Sequence, residues 1–246
     1  MMYSFLLVGQ SNMAGRGFPT EVEKIPSDNI YVLRNGRWWK MYVPVNPDRV
    51  TAGINLSESF AYEFLKDHPG DQVGIIPCAD GGTKLSQWMP GEVLYDHAVM
   101  MTSLAQRSST LAGILWHQGE SDCGPENRKT YAQRCTYVLQ SLRKDVGAPH
   151  VPVITGGLGD YLPAWEKGDL SGYTEINAAL ESMAKTLPGF GFAPATGLGA
   201  NPDNLHFSAR ALREFGLRYY EEFKRLAPEL SGCKEADLTV TEMEKL

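Results

Sequence analysis

At 246 residues and a formal charge of -6, the chain is long enough for one full α/β domain with a sizeable core, and a second domain is not required. Charged residues of both signs are interspersed without a basic block, so nothing electrostatic points to nucleic acid or an anionic membrane as partner. No apolar run nears the ~18 residues that a membrane span needs, and the N-terminus lacks a signal peptide's basic start and small-residue cleavage site. The chain therefore reads as cytoplasmic, although a mature secreted protein stripped of its leader would look identical.

The first run, residues 3–8, is a short apolar strand that stops at Gly9, and Ser11 follows where a helix starts. In an open α/β sheet, ligands bind beyond the carboxyl ends of the strands. A serine there suits two descriptions, a helix N-cap or a nucleophile. Residues 30–33 form a weaker strand candidate ahead of Asn35-Gly36, a hairpin-turn dipeptide. Phe60 and Phe64 mark the first helical stripe, with Ser57 as its cap, and residues 73–78 make the next strand. Val93, His97, Met100 and Leu104 then form a stripe before the strand at 111–117, and Tyr131, Cys135, Val138 and Leu142 another before the strand at 151–155. Ile176, Leu180, Met183 and Leu187 precede the last and longest stripe, Leu212, Phe215, Tyr219, Phe223 and Leu226.

Near-continuous apolar runs suit strands buried on both faces of a parallel sheet, and their alternation with helices predicts a three-layer α/β/α sandwich. We place a single domain over residues 1–228 and a polar tail over 229–246. Long connections at 17–29, 37–55, 79–91, 156–172 and 189–203 mostly follow strands, where loops of such length are often functional. Cys78, Cys123, Cys135 and Cys233 are widely spaced with no CxxC pair, which favours buried free thiols over a disulfide framework or a zinc site.

Three later stretches carry chemistry. In residues 201–208, Asp203 stands three residues before His206, so that on one turn the carboxylate can hold the imidazole Nδ1 proton and leave Nε2 outward as a base; turn residues are also common there for their own reasons. Residues 117–122, HQGESD, crowd polar side chains directly after a strand. Gln118 offers an amide N–H to an oxyanion, while Glu120 is placed to bond nearby loops or orient a histidine. A competing reading takes His117, Glu120, Asp122, Asp203 and His206 as metal ligands, but their spacing matches no compact motif. Gly81 and Gly82 follow the strand at 73–78 and let backbone approach a ligand; neither GxxxxGK[ST] nor GxGxxG is present. Trp38, Trp39, Trp88 and Trp165 fall in loop-like stretches, where anchoring accounts for most, with Trp88 as the best candidate for substrate contact.

Read together, GQSNMAG at 9–15, HQGESD at 117–122 and DNLH at 203–206 resemble the SGNH/GDSL hydrolase superfamily, within the branch of sialate O-acetylesterases and family 6 acetylxylan esterases. The motifs run in family order from residue 9 to residue 206. The resemblance implies a flavodoxin-like central sheet, with Ser11 as nucleophile, His206 as general base and Asp203 as its orienting carboxylate. It implies an oxyanion hole made of the Ser11 backbone N–H, an N–H of the Gly81-Gly82 pair and the Gln118 amide. Gln118 stands where the wider superfamily uses an asparagine in a GxND block, which leaves the parts of His117 and Glu120 open. Gln10 and Asn12 are expected to shape the turn that presents Ser11. The expectation is a serine esterase that removes O-acetyl groups from a small carbohydrate through an acyl-enzyme, with no metal or organic cofactor. A non-catalytic carbohydrate-binding protein on the same scaffold and a metal-dependent hydrolase are the alternatives. The sequence sets neither the sugar nor the oligomeric state.

Overall fold

The computed structural model describes residues 1–228, so the tail expected at 229–246 lies outside the described residues. Among the described residues, seven strands form one sheet. They are β1 (Met2–Gly9), β2 (Ile30–Arg34), β3 (Arg37–Lys40), β4 (Gln72–Pro77), β5 (Thr110–His117), β6 (Val153–Gly156) and β7 (Phe190–Ala193), in the spatial order β3-β2-β4-β1-β5-β6-β7. All pairings are parallel except the β2–β3 hairpin at one edge, turned by Asn35-Gly36. Without β2 and β3, the order 2-1-3-4-5 is that of a flavodoxin-like sheet, as expected. Its order reverses at β1, which is where ligands bind in such sheets.

Among the described residues, six α-helices complete the layers: α1 (Ser11–Ala14), α2 (Ser57–Asp67), α3 (Val93–Ala105), α4 (Pro125–Asp145), α5 (Tyr173–Thr186) and α6 (Ala209–Leu226). Alternate side chains of β1 feed two cores. Tyr3, Phe5 and Leu7 meet Phe60 and Phe64 of α2 and Phe215 and Phe223 of α6. Leu6 and Val8 meet the other layer, including Tyr131 and Cys135 of α4 and Ile176 and Leu180 of α5. Helices thus cover both faces, and the near-continuous apolar runs follow from that burial.

Four expectations change. β7 lies inside the connection expected at 189–203; its four residues pair with β6 through Val153↔Phe190 to Gly156↔Ala193, too short a run to signal itself. β3 likewise occupies the start of the loop expected at 37–55, and Trp38 and Trp39 are strand residues. On α3 the buried face is Tyr95, Ala98, Thr102 and Ala105, whereas Val93 is 81% and Met100 54% exposed. Small Ala98 and Ala105 let this helix sit close to the sheet, and a stripe chosen by hydrophobicity alone passes them over. The cap of α2 is supplied from outside the helix: Asn55 Oδ1 accepts the Ser57 N–H at 3.0 Å and the Ser57 hydroxyl at 2.8 Å. Cys78, Cys123 and Cys135 are buried free thiols; Cys233 lies outside the described residues.

Candidate active site

The site forms at the carboxyl edge of β1, β4 and β5. Gly9 ends β1 at φ 130°, and a Cβ there would run into the His117 carbonyl at the end of β5, so only glycine lets the two strand ends come this close. Gln10 N–H then donates to His117 O at 2.9 Å, and Ser11 opens the single turn of α1, buried at the base of a cleft. Its hydroxyl lies 3.0 Å from His206 Nε2.

His206 comes from the far end of the chain, in the loop before α6. Asp203 serves that loop twice. Its Oδ1 accepts the Leu205 and His206 backbone N–H groups, both at 3.0 Å, which closes a local turn. Its Oδ2 lies 2.7 Å from His206 Nδ1. With the proton on Nδ1 donated to the carboxylate, Nε2 is left to accept the Ser11 hydroxyl. Partial burial pushes the Asp203 carboxyl up, but the His206 ring and the two backbone N–H groups outweigh it and hold the group below its ordinary value.

Asn12 ties this loop to Ser11. Its Oδ1 accepts the Phe207 N–H at 3.1 Å, and its Nδ2 donates to Leu205 O at 3.2 Å and to Glu120 Oε1 at 2.6 Å. The two backbone groups flank His206. Glu120 Oε1 also lies 3.2 Å from His117 Nε2. His117 is fully buried, with its ring edge-on to Phe207 and Phe215. Burial pushes the Glu120 carboxyl up, yet the His117 ring and the Asn12 amide together hold it below its ordinary value. His117 and Glu120, whose parts the sequence left open, thus support Asn12 from beneath; only Glu120 reaches the cleft wall.

The candidate oxyanion donors are disposed differently from expectation. Both N–H groups of the Gln118 amide are committed, to Asp122 Oδ2 at 2.6 Å and Thr83 O at 3.3 Å, and the side chain is fully buried. Flipping the amide would set its oxygen against a carboxylate and a carbonyl, so Gln118 is a loop tie and has no N–H to spare for the cleft. Gln10 differs: its Oε1 accepts the Gly119 and Ser121 N–H groups at 3.3 and 3.4 Å, it lines the cleft, and its Nε2 has no acceptor among the described residues. Gly81 approaches so closely that a Cβ would sit 3.4 Å from Ser11 Cβ and against the Arg16 and Asp48 side chains. Its N–H donates to Asp48 Oδ2 at 2.8 Å, whereas the Ser11 and Gly82 N–H groups have no acceptor among the described residues.

The cleft encloses about 370 Å³, within the range of small-molecule sites. Gln10, Arg16 and Ser121 give it a polar side, and Trp165, Leu170 and Leu205 an apolar one. Trp88, expected to touch substrate, does not: it is 1% exposed, edge-on to Trp116, and donates Nε1–H to Thr83 Oγ1 at 3.1 Å, anchoring the glycine loop. Trp165 takes the place at the cleft. Arg16, directly after the GQSNMAG run, and Asp48 were missed; Arg16 walls the cleft beside Gly81 and is held there by its buried pair with Asp48 at 2.7 Å. The acidic and histidine side chains do not converge. Asp122 Oδ2 serves Gln118 and the Leu85 N–H, Glu120 serves Asn12 and His117, and Asp203 serves His206, with no group of three potential metal ligands among the described residues.

A flavodoxin-like sandwich with a serine just beyond its first strand and an Asp-x-x-His segment before α6 has the architecture of the SGNH hydrolases. The sequence matches the family model described as carbohydrate esterase, sialic acid-specific acetylesterase, over residues 2–225. The chain belongs to this family of carboxylic ester hydrolases. A "probable carbohydrate esterase" of Arabidopsis thaliana is 28% identical over 238 residues, covering 87% of this chain and 86% of its own. A crystal structure of an Arabidopsis thaliana protein superposes with TM-score 0.81 at 25% identity, covering 91% of this chain and 98% of the other. NanS gives 0.75 at 18% identity, covering 93% and 98%. A carbohydrate acetylesterase of Xanthomonas citri gives 0.71 at 20%, covering 92% of this chain and 56% of that protein.

Proposed function

We propose that the protein removes O-acetyl groups from a carbohydrate through a covalent acyl-enzyme on Ser11. One observation carries this reading: the unbroken chain Ser11 Oγ to His206 Nε2 at 3.0 Å and His206 Nδ1 to Asp203 Oδ2 at 2.7 Å, opening on a cleft. A serine hydroxyl is a weak nucleophile until an adjacent base takes its proton. Ser11 Oγ bonds to the ester carbonyl carbon while its proton passes to His206 Nε2. The carbonyl π pair moves onto oxygen. When the tetrahedral species collapses, the bond to the sugar oxygen breaks and His206 protonates the leaving hydroxyl. Water, deprotonated by His206, then attacks the acyl-enzyme; acetate leaves and Ser11 regains its proton.

The oxyanion is assigned to the Ser11 and Gly82 N–H groups, with the Gln10 amide as third donor in place of Gln118. Asp203 keeps His206 in the needed tautomer and stabilises the imidazolium. Trp165, Leu170 and Leu205 offer apolar surface to a sugar face and acyl methyl, and Arg16 and Ser121 meet sugar hydroxyls. Family membership and the acetylesterase relatives support the choice of substrate class. The test is hydrolysis of p-nitrophenyl acetate and of acetylated xylo-oligosaccharides and sialic acids by purified protein. Ser11→Ala should abolish turnover and labelling by a fluorophosphonate; full activity in that variant would end the reading.

A further inference from the structure

The Gly81-Gly82 peptide is held from outside the cleft: its carbonyl, Gly81 O, accepts from Arg49 Nη2 at 3.1 Å. The peptide before it is held as well, with Gly81 N–H donating to Asp48 Oδ2 at 2.8 Å. Arg49 is itself held, because Nη1 donates to Asp48 O at 2.8 Å and lies 2.7 Å from Asp80 Oδ1. A guanidinium presents its N–H groups as a rigid planar fork, so this one side chain bonds two backbone oxygens while its charge pairs with the Asp80 carboxylate.

In a trans peptide, the C=O of one residue and the N–H of the next point in opposite directions. Holding Gly81 O toward Arg49 therefore turns the Gly82 N–H away from Arg49. Gly82 lines the cleft with Ser11, and its N–H has no acceptor among the described residues, whereas Arg49 is half exposed and not part of the cleft wall. With glycine on both sides, no Cβ restricts rotation of this peptide plane, and its own sequence gives it no fixed direction.

We propose that Arg49 is a positioning residue that holds the Gly81-Gly82 peptide so that the Gly82 N–H faces the developing oxyanion. The proposal rests on Ser11 acting as the esterase nucleophile. Arg49 is half exposed, so its pair with the partly buried Asp80 is screened by solvent and contributes little to stability. Its effect falls on the reaction, through a donor that must be oriented before charge develops.

The experiment compares the parent with Arg49→Gln and Arg49→Lys. For each it measures kcat and KM on p-nitrophenyl acetate across pH, the rate of inactivation by a fluorophosphonate, and the melting temperature. Deleting an oxyanion donor outright costs about 100- to 1000-fold, so misaiming one in Arg49→Gln is expected to lower kcat by about 10- to 100-fold. KM should stay within twofold, the pH midpoint should not move, and melting should change little. Fluorophosphonate inactivation should slow in step, because its phosphoryl oxygen takes the oxyanion's place. Arg49→Lys should recover part of the loss, since an ammonium reaches one of the oxygens. A kcat for folded Arg49→Gln within twofold of the parent overturns the proposal, as does a loss that comes with a shifted pH midpoint, which would trace to His206. If Arg49→Gln does not fold, Asp80→Asn, which frees one anchor of Arg49, should show a smaller fall in kcat at constant KM; an unchanged kcat there also overturns it. A parent that neither turns over acetyl esters nor reacts with the fluorophosphonate sinks both readings. An active parent with indifferent Arg49 variants sinks only this one.

Discussion

Replacing Asn12 by alanine should damage the site more than replacing any single surface residue near it. The amide is buried and makes three bonds, to Phe207 N, Leu205 O and Glu120 Oε1. Truncation leaves the Phe207 N–H without a partner, and stranding a buried donor costs about 1–3 kcal/mol. Leu205 O keeps only the 3.5 Å approach of the Tyr161 hydroxyl, and Glu120 keeps only His117 at 3.2 Å. A hydrogen bond to a charged group contributes about 1.5–3 kcal/mol, so the sum is about 3–5 kcal/mol. For a chain of this size that corresponds to a fall in melting temperature of about 10 °C. Thermal or urea unfolding reads it directly. Activity at a temperature where the variant is folded should also fall, because the two lost backbone ties bracket His206. Asn12→Asp should be no better: it keeps an acceptor for Phe207 N but sets a second carboxylate against Glu120. If Asn12→Ala melts within 2 °C of the parent, the buried ties carry no weight and the account of how His206 is held is wrong.

Three further outcomes follow from the same geometry. Asp203→Asn should keep the fold and lower kcat by about 1,000- to 10,000-fold with little change in KM, since an amide holds the wrong His206 tautomer; a loss under tenfold would count against it. Glu120 is held below its ordinary value in the fold, so its ionised form stabilises the folded state fully above the unfolded carboxyl value of about 4.3. That contribution is lost as pH falls through the lower folded value. Urea midpoints should therefore fall less steeply from pH 5 to pH 3 in Glu120→Gln than in the parent; identical slopes would contradict the sign. Trp165→Ala should raise KM for sugar acetates while leaving the melting temperature nearly unchanged, whereas Trp88→Ala should cost about 3–5 kcal/mol of stability. The reverse pattern, read by kinetics and calorimetry, would restore Trp88 as the substrate contact.

The parts of this site that the sequence shows are those written locally. β1 is buried on both faces and so appears as an apolar run, its end is marked by Gly9, and Asp203 and His206 share a single turn. What it does not show depends on which donors are already taken. Gln10 and Gln118 are the same residue type beside the same loops, and only the folded chain reveals that Asp122 and Thr83 occupy the N–H groups of one amide while Gly119 and Ser121 engage only the oxygen of the other, which lines the cleft. Arg49 sits in a loop without periodicity, and its partner Gly81 is 32 residues away. Trp88 and Trp165 both read as loop tryptophans because exposure is decided by what packs over them. The short strand β7 and the alanine face of α3 escaped for a related reason, since hydrogen bonding to a neighbour and close approach to the sheet leave little hydrophobic trace.

Ser11 and His206 stand 195 positions apart, joined through α6 packing back onto the sheet. A chain emerging from the ribosome has its serine, first strand and glycine loop long before it has His206, the base proposed for them. On that proposal it stays chemically silent until α6 docks. Recovery of turnover during refolding should consequently coincide with the docking of α6 rather than with sheet formation alone, which makes esterase activity a readout of a completed fold.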